Sequence, residues 1–529
     1  MKKYSFSIIV SLFVVLATML FATGCAQQEA GTTAEAPPAA AALGEAAPAA
    51  APEPAPAEGG GRDHMSMSIA GDIQNLDPHN TSNNPDFRTF TLVFSALVQQ
   101  DETGFIPSLA TRWELSDDGL SYTFWLRDDV LFHNGDLMTA SDVVFSFERA
   151  MESPFVGAHV SSVSSVTALD DFTVRFELYY QFAPFILSIT SIWVVSESVI
   201  TSTDDPGRHP IGTGPYMFVE HQPGRSVSLT RFDDYFGGPA IIRDVDLMVI
   251  LNPATLSIAV EAGDIDLATT VPPGDFERLS AVEGLTVTYL ETNSLNFLTI
   301  NTLLEPFDDP RVRMAIAHAV DREGIIAMVA DGYGRAADSF LNSLTFGFAP
   351  DVRSLPRDVA RGRELLTEAG FPNGFDTTLM TVGGGGIFEN IVQVLQANLS
   401  EIGITATINL LDQAVAIPNL LTHNYELGVL AIALPLDANA WDMFFSSEGG
   451  MNMSGLSNPD VDRWFEEGRA TTNIAERLEL YRNIQLFIAE QVPIVPLYFP
   501  ISAYVHNANL IMPWIDAVGN FRFDEVYWR

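Results

Sequence analysis

Residues 107–147 read PSLATRWELSDDGLSYTFWLRDDVLFHNGDLMTASDVVFSF, and this stretch sets the expectation for the whole fold. Tyr122, Phe124 and Leu126 recur at every second position, which is the period of a strand that buries one face. The cluster SDDG before this strand and the cluster HNGD after it each supply a turn. The run TASD then leads into an apolar segment, which predicts a capped helix start. The predicted order is strand, turn, strand, turn and capped helix.

The same stretch resembles the signature of the family 5 extracellular solute-binding proteins, which are the peptide-, nickel- and oligosaccharide-binding components of ABC importers. Members read P-x-LA-x-x-W, a D-G turn, YTF-x-LR, V-x-FH-x-G and TA-x-DV in this order, and the chain matches nearly throughout. The matching residues have packing or turn roles, so they identify a scaffold rather than a ligand. We therefore interpret Trp113 and His133 as fold residues, the alternative being ligand contacts.

Further family motifs follow in the family's order, so the resemblance extends from about Met65 to the C terminus. They include PIGTGPY at 210–216, DDYFGGP at 233–239 and PFDDPRVR at 306–313. In the last motif, Asp309 is placed to cap a helix with Pro310 at its first position. The glycine-rich 210–216 segment lacks the Lys-Ser/Thr pair of a phosphate-binding loop, so a nucleotide site is not expected there.

The resemblance implies an α/β, bilobal periplasmic-binding-protein fold of the type II-like kind, with an extra inserted subdomain and two crossing hinge strands. Carried onto this sequence, the first lobe comprises residues 63–98, 200–290 and 497–529, and the inserted subdomain comprises residues 99–199. The second lobe comprises residues 291–496. Two rigid lobes on a hinge can close over a solute, and a transporter can then recognise the closed form.

The charge balance is strongly acidic, with 27 Lys and Arg against 67 Asp and Glu and a formal net charge of -40. Such a chain repels phosphate backbones, so nucleic-acid binding is not expected. The acidity is read either as a solubility device on an exported protein or as an attraction of cations to the cleft. The nine histidines show no pair at metal-ligand spacing, so neither a metal nor another cofactor is predicted.

The N-terminal segment predicts export and lipidation. Lys2 and Lys3 precede an apolar run at 8–21, which is too short for a comfortable membrane span and is typical of a signal peptide. The run ends in ATGC, which resembles a bacterial lipoprotein processing box, so residues 1–24 are predicted to be removed and Cys25 to be lipidated. The alternative is a chance cysteine after an ordinary signal peptide.

Residues 25–62 carry a composition of Ala, Pro, Glu and Gly that cannot bury enough apolar surface to fold. We therefore predict a disordered tether behind the lipidated cysteine. The protein is expected to lie outside the cytoplasm, anchored to the membrane by lipid, as a monomer whose partner is an ABC permease.

The resemblance also places candidate ligand contacts along the cleft. The segment LDPH at 76–79 resembles the end of the family's first strand, which puts Ser82, Asn83 and Asn84 at the ligand. Their polar side chains suit hydrogen bonds to a solute. The alternative is an ordinary polar turn, and the sequence leaves both readings open.

A second group of candidates lies where dipeptide-binding members carry W-x-x-D-x-x-D-P. This chain reads AIALPLDA at 431–438, so Asp437 keeps the second acidic position while Leu434 replaces the Asp that pairs a peptide ammonium. The Arg that those members use for the peptide carboxylate is replaced by a glycine loop that includes Gly384 and Gly385. An unpaired buried charge costs several kcal/mol, so a free dipeptide held by its termini is disfavoured.

The remaining candidates suit a longer or modified peptide, or an uncharged ligand such as an oligosaccharide. The glycine loop precedes a predicted helix and could offer backbone N–H groups, the alternative being a plain surface loop. Trp441 could stack on a sugar or a side chain, the alternative being a core position. The predicted function is therefore oligopeptide capture for an ABC importer, with oligosaccharide binding or ligand sensing for a receptor as alternatives.

Catalysis is not expected. The sequence shows no G-x-S-x-G elbow, H-E-x-x-H or Walker loop, and its single thiol is Cys25.

Overall fold

The computed structural model describes residues 62–81, 83–102, 104–202, 205–384, 386–516 and 518–529. The predicted signal peptide and Cys25 fall outside these residues, as does the predicted tether up to residue 61. The strands of the described chain, β1 to β20, are His64–Ile69, Val98–Asp101, Gly104–Pro107, Ala110–Leu115, Ser121–Leu126, Val163–Asp170, Thr173–Leu178, Tyr216–Gln222, Ser226–Arg231, Asp244–Val249, Leu267–Ala268, Leu285–Glu291, Ser294–Ile300, Gly334–Ala336, Asp376–Val382, Thr405–Leu411, Leu427–Ala433, Ile494–Asn507, Leu510–Ile511 and Tyr527–Trp528.

The α-helices of the described chain, α1 to α14, are Asn84–Val93, Ala140–Glu152, Phe185–Ile189, Glu197–Ser202, Pro253–Ala262, Phe276–Ser280, Pro310–Ala319, Arg322–Val329, Val359–Glu368, Ile387–Glu401, Gln413–Leu421, Asp442–Phe445, Pro459–Ala470 and Ile474–Gln491. Short 3-10 helices occupy Gly157–Val160, Pro273–Asp275, Ala438–Trp441 and Phe523–Glu525. Among the described helices, none combines the length and the hydropathy that a bilayer span requires.

A mixed sheet runs through the molecule in the order β16-β15-β17-β13-β18-β11-β1-β10-β9-β8, with β12 and β14 also paired to β18. We call the part around β1 and β8–β11 the first lobe, and the part around β13 and β15–β17 the second lobe. The long strand β18 belongs to both, because it pairs with β13 up to Tyr498 and with β12 from Ile501 onward. Only two residues separate β12 from β13, so two antiparallel segments cross between the lobes. The expected pair of crossing strands is confirmed.

The signature segment folds as the sequence predicts. Strand β5 is followed by the HNGD turn, and α2 begins after Thr139. The Asp142 carboxylate accepts a hydrogen bond of 2.9 Å from the backbone N–H of Thr139, which caps the helix in the expected way. Likewise, Asp309 accepts a hydrogen bond of 2.8 Å from the N–H of Arg311, one residue after Pro310 begins α7. The apolar run at 494–499 forms a strand, but that strand continues to Asn507 because it is also paired in the first lobe.

The buried apolar residues form separate clusters. One cluster draws on residues 97–194 and packs around the four-stranded sheet β4-β5-β7-β6. Two clusters draw on residues between 295 and 499, in the second lobe. Two more combine residues 65–94, 193–279 and 503–526, in the first lobe. This grouping resembles the predicted division into lobes and subdomain, whose boundaries stay a prediction.

Candidate ligand-binding cleft

A cleft with a volume of ≈ 2310 Å³ lies where the crossing strands pass between the lobes. The crossing segments contribute Thr292, Asn293 and Ile501 to its lining, and both lobes contribute the rest. Pockets for drug-sized ligands measure about 300–1,000 Å³, so this cleft has room for a larger molecule. Its position on the connection between the lobes means that a change of lobe angle changes its width.

The end of β17 and the segment after it form one wall of the cleft. Ala431, Leu434 and Asp437 all line it. The side-chain amide of Asn293 donates a hydrogen bond of 2.6 Å to the Leu434 carbonyl. This bond ties the strand end to a crossing segment, so Leu434 presents its backbone from a fixed position.

Asp437 is held by a buried arginine rather than left available to a ligand. Nη2 of Arg477 donates to both carboxylate oxygens of Asp437, at 3.0 and 2.8 Å. The two residues are 6% and 7% exposed. Asp437 also caps the 3-10 helix that follows it, by accepting a bond of 2.9 Å from the N–H of Asn439. The carboxylate of Asp437 therefore binds Arg477 and caps a helix. These contacts do not support a direct ligand contact through the same carboxylate.

Trp441 lies in the aromatic core of the second lobe. It is 4% exposed, and its ring packs against Phe340, Phe444 and Phe445 with centroid separations of 5.1 to 5.5 Å. It is absent from the described lining of the cleft. The burial and the ring contacts of Trp441 support the alternative interpretation, that it is a core residue, and do not support stacking on a ligand.

The glycine loop reaches the cleft, but its donors are partly engaged. Gly384 lines the cleft with φ +121, and its N–H donates a hydrogen bond of 2.9 Å to the Glu389 carboxylate. The N–H of Gly383 donates at 2.8 Å to the Leu411 carbonyl. Gly385 lies outside the described residues. The N–H groups of Gly383 and Gly384 therefore already donate within the protein, and they are not free to bind a ligand in this structure.

The polar segment after β1 is turned inward toward its own lobe. The side-chain amide of Asn83 donates to the Asp86 carboxylate at 3.0 Å and to the Asp72 carbonyl at 3.2 Å, and Asn83 is not among the residues lining the cleft. Burial raises the pKa of Asp86, and the surrounding hydrogen bonds oppose that effect. The predicted ligand contact of Asn83 is not supported. Ser82 and the side chain of Asn84 lie outside the described part of the chain.

The charged groups of the cleft wall are mostly acidic. Among the described lining residues, the cationic side chains other than histidine are Arg88 and Arg522. Arg522 pairs with Asp524 at 2.5 Å and with Glu525 at 2.8 Å, and Arg88 donates to the Tyr504 hydroxyl at 3.0 Å. Both guanidinium groups are thus engaged, and an anionic ligand is disfavoured. The acidic residues of the lining are Asp101, Glu102, Asp275, Asp331, Asp412, Asp437, Asp442, Asp516, Asp524 and Glu525.

Two cleft features escaped the sequence reasoning. The segment after β19 brings Trp514 and Asp516 to the lining, and α12 brings Asp442 and Met443. Burial raises the pKa of the Asp442 carboxyl, while Ser446 and Arg469 oppose the rise. The sequence could have pointed to Trp514, because it is a tryptophan in a short segment, MPWIDAVGN, that follows no strand or helix period.

In the described part of the chain, no three His, Cys, Asp or Glu side chains lie together as a metal site.

Comparison with known proteins connects this architecture to a family. Residues 104–458 match the model described as bacterial extracellular solute-binding proteins, family 5 middle. Heme-binding protein A of Haemophilus influenzae is 28% identical over 447 residues, which cover 77% of this chain and 81% of that protein. Di/tripeptide-binding protein 2 of Pseudomonas aeruginosa is 29% identical over 446 residues, covering 77% and 83%. The solved ABC transporter substrate binding protein CtaP of Listeria monocytogenes superposes with a TM-score of 0.81 at 26% identity, over 88% of this chain and 99% of that one.

Proposed function

The chain belongs to the bacterial extracellular solute-binding proteins of family 5, and from that premise we propose that its cleft captures an oligopeptide and delivers it to the permease of an ABC importer. The observation that carries the proposal is the cleft of ≈ 2310 Å³ on two crossing segments. Members of this family are binding components of transporters and not enzymes, so the bound solute is released unchanged. The protein acts outside the cytoplasm.

The chemistry of the cleft favours a longer or modified peptide over a free dipeptide. Leu434 offers no carboxylate for a peptide ammonium, and the arginines of the described lining are engaged by neighbouring groups. Extended peptides can instead use main-chain hydrogen bonds along a strand end and place side chains in the remaining space. The volume of the cleft and the position of the segment after β17 support that mode of binding.

Oligosaccharide binding is the second candidate. The cleft lining includes exposed, uncharged hydrogen-bonding side chains such as Asn390 and Gln413, which suit sugar hydroxyls. A third role, presentation of the closed protein to a receptor, uses the same binding step. This role differs from transport only in the partner that recognises the closed protein, which is a receptor in one case and a permease in the other.

The proposal is tested by titrating the soluble fragment that begins at Arg62. A thermal-shift screen with di-, tri- and longer peptides and with oligosaccharides identifies the ligand class, and calorimetry then measures its affinity. We expect longer peptides to bind with sub-millimolar affinity and free dipeptides to bind more weakly. Tighter binding of sugars would replace the proposal with its alternative, and tighter binding of dipeptides would refute the argument from the missing charged partners.

We further propose that Cys25 carries lipid and holds the protein at the membrane. The support is the sequence ATGC after an apolar run, and each buried methylene of an acyl chain contributes about 0.8 kcal/mol to anchoring. Replacing Cys25 by Ser is expected to move the protein from the membrane fraction to the soluble fraction. The neighbouring variant Thr33→Ser serves as the control, and membrane retention of the Cys25 variant would refute lipidation.

A further inference from the structure

Trp514 differs from every other tryptophan of the chain. All seven tryptophans lie in the described residues, and Trp514 is the one whose side chain is exposed, at 42%. It also lines the cleft. The others are buried, like Trp193 and Trp441 with 8% and 4% exposure, or half-buried, like Trp125. A large aromatic side chain is therefore presented to the space that a ligand enters.

The segment that carries Trp514 is held by residues other than its indole. The segment between β19 and β20 is fixed by polar contacts, because the Tyr504 hydroxyl donates to the Gly519 carbonyl at 2.6 Å and Arg88 donates to the same carbonyl. Within the segment, the Asp516 carboxylate accepts a bond of 2.7 Å from the N–H of Asn520. The segment is thus ordered by groups other than the indole, and Trp514 is pre-positioned by them.

The second lobe offers apolar surface to the same cleft. Met443 lines the cleft at 40% exposure, while its neighbours Phe444 and Phe445 are buried at 4% and 1%. Helix α12 therefore packs two aromatic rings into the core and leaves a flexible thioether toward the ligand space. Methionine adapts its shape to different apolar partners, whereas tryptophan provides a rigid surface with little loss of conformational entropy.

We propose that Trp514 is a specificity-determining residue, whose indole packs on a large apolar or aromatic side chain of the bound peptide. Met443 supplies adaptable apolar surface from the other lobe when the cleft closes. This inference rests on the proposed peptide-binding function and narrows it to peptides that carry such a side chain. A ligand side chain of this kind removes from water the exposed apolar surface of Trp514 and Met443 that lines the cleft.

The test uses the soluble fragment and peptides that differ at one position at a time, with Ala, Leu or Phe scanned along the length that binds best. For the unmodified protein, we expect Phe at one position to bind about tenfold more tightly than Ala. Trp514→Ala is expected to reduce that ratio to near one, with little change for the Ala peptide. Trp514→Phe retains a ring and is expected to keep most of the preference.

Tryptophan fluorescence gives a second readout. Binding of the Phe peptide is expected to shift the emission of the unmodified protein to shorter wavelength, and Trp514→Phe is expected to abolish the shift. Trp125→Phe is the matched control, because Trp125 is half-buried under Arg112 and lies outside the described lining. An unchanged side-chain preference in Trp514→Ala overturns the inference while peptide binding stands. Failure of every peptide to bind overturns the proposed function and this inference together.

Discussion

At the scale of single residues, Asp437 and Trp441 show what a family motif reveals and what it hides. Leu434 and Asp437, which the motif singles out, line the cleft. The motif did not reveal that Asp437 pairs with Arg477, because that partner comes 40 residues later, on α14. For Trp441, the ring neighbours include Phe340, which lies still further away in the sequence. The role of a side chain near the cleft therefore depends on partners that are distant in sequence, which a local sequence motif does not identify.

The ion pair makes a prediction about stability. Replacing Asp437 by Asn keeps the volume but leaves the buried guanidinium of Arg477 without its counter-charge. Breaking a buried pair in this way is expected to lower the free energy of unfolding by about 3–5 kcal/mol. Urea denaturation without ligand measures the change.

The control is Asp351→Asn, which removes one partner of an exposed pair with Arg482, whose side chains are 55% and 38% exposed. Its expected cost is below about 1 kcal/mol. If Asp437→Asn behaved like this control and lost ligand affinity instead, Asp437 would be the ligand residue that the sequence suggested.

At the scale of elements, periodicity and capping located most of the fold. The alternation in 121–126 gives β5, and the Asp-Pro pair gives the start of α7. The loop between β19 and β20 could not be found in this way. Its order comes from Arg88 and Tyr504, and Arg88 lies 431 residues before the glycine whose carbonyl it binds. Such a loop shows no periodic sequence pattern, because contacts with other elements determine its conformation.

Two turns of the first lobe and its subdomain are each held by a neutral histidine. His79 Nε2 bonds to the Trp193 carbonyl at 2.9 Å, and His133 Nε2 bonds to the Gly214 carbonyl at 3.0 Å. Burial lowers the pKa of both rings, and at His79 the nearby Arg149 adds to that effect, so that each pKa falls to about 4. The interpretation of His133 as a fold residue fits these contacts.

The direction of the pH effect follows from these values. Between pH 6.5 and about 4 the unfolded chain binds more protons than the folded one at both histidines. Their contribution to stability is therefore fully present above pH 6.5 and is lost as the pH falls toward 4. For buried His79 the loss is about 3 kcal/mol, from about 1.4 kcal/mol per pH unit.

Unfolding midpoints measured from pH 7 to pH 4 check this expectation. His79→Gln keeps a donor for the Trp193 carbonyl without a titrating ring, so its stability is expected to vary less with pH. His209→Gln is the control, because His209 is exposed. A profile for His79→Gln as steep as that of the control would assign the acid sensitivity to other groups.

At the scale of the whole molecule, the lobes meet at the crossing segments and again at the side of the cleft. There the backbone N–H of Ala183, in the predicted inserted subdomain, donates a hydrogen bond of 2.7 Å to the carbonyl of Arg469 at the end of α13. The Arg469 guanidinium lies 5.7 Å from the ring centroid of Tyr180 and pairs with Asp442 at 3.0 Å. Because Asp442 lines the cleft, this contact links the ligand space to the interface between the lobes.

A contact between the lobes favours forms in which the lobes touch, so Tyr180→Ala is expected to shift the unliganded protein toward an open form. A cation–π contact at an exposed site contributes about 0.5–1 kcal/mol, which corresponds to about a two- to fivefold loss of closed molecules and of affinity. The loss of affinity is expected to be the same for every ligand, because the substitution acts on lobe closure, whereas Trp514→Ala changes affinity according to the ligand side chain.

X-ray scattering measures the fraction of closed molecules, and calorimetry measures the affinity. The control is Tyr179→Ala, at a neighbouring residue that is 68% exposed. If Tyr180→Ala weakened some peptides and spared others, its ring would contact the ligand, and the interface would not control closure.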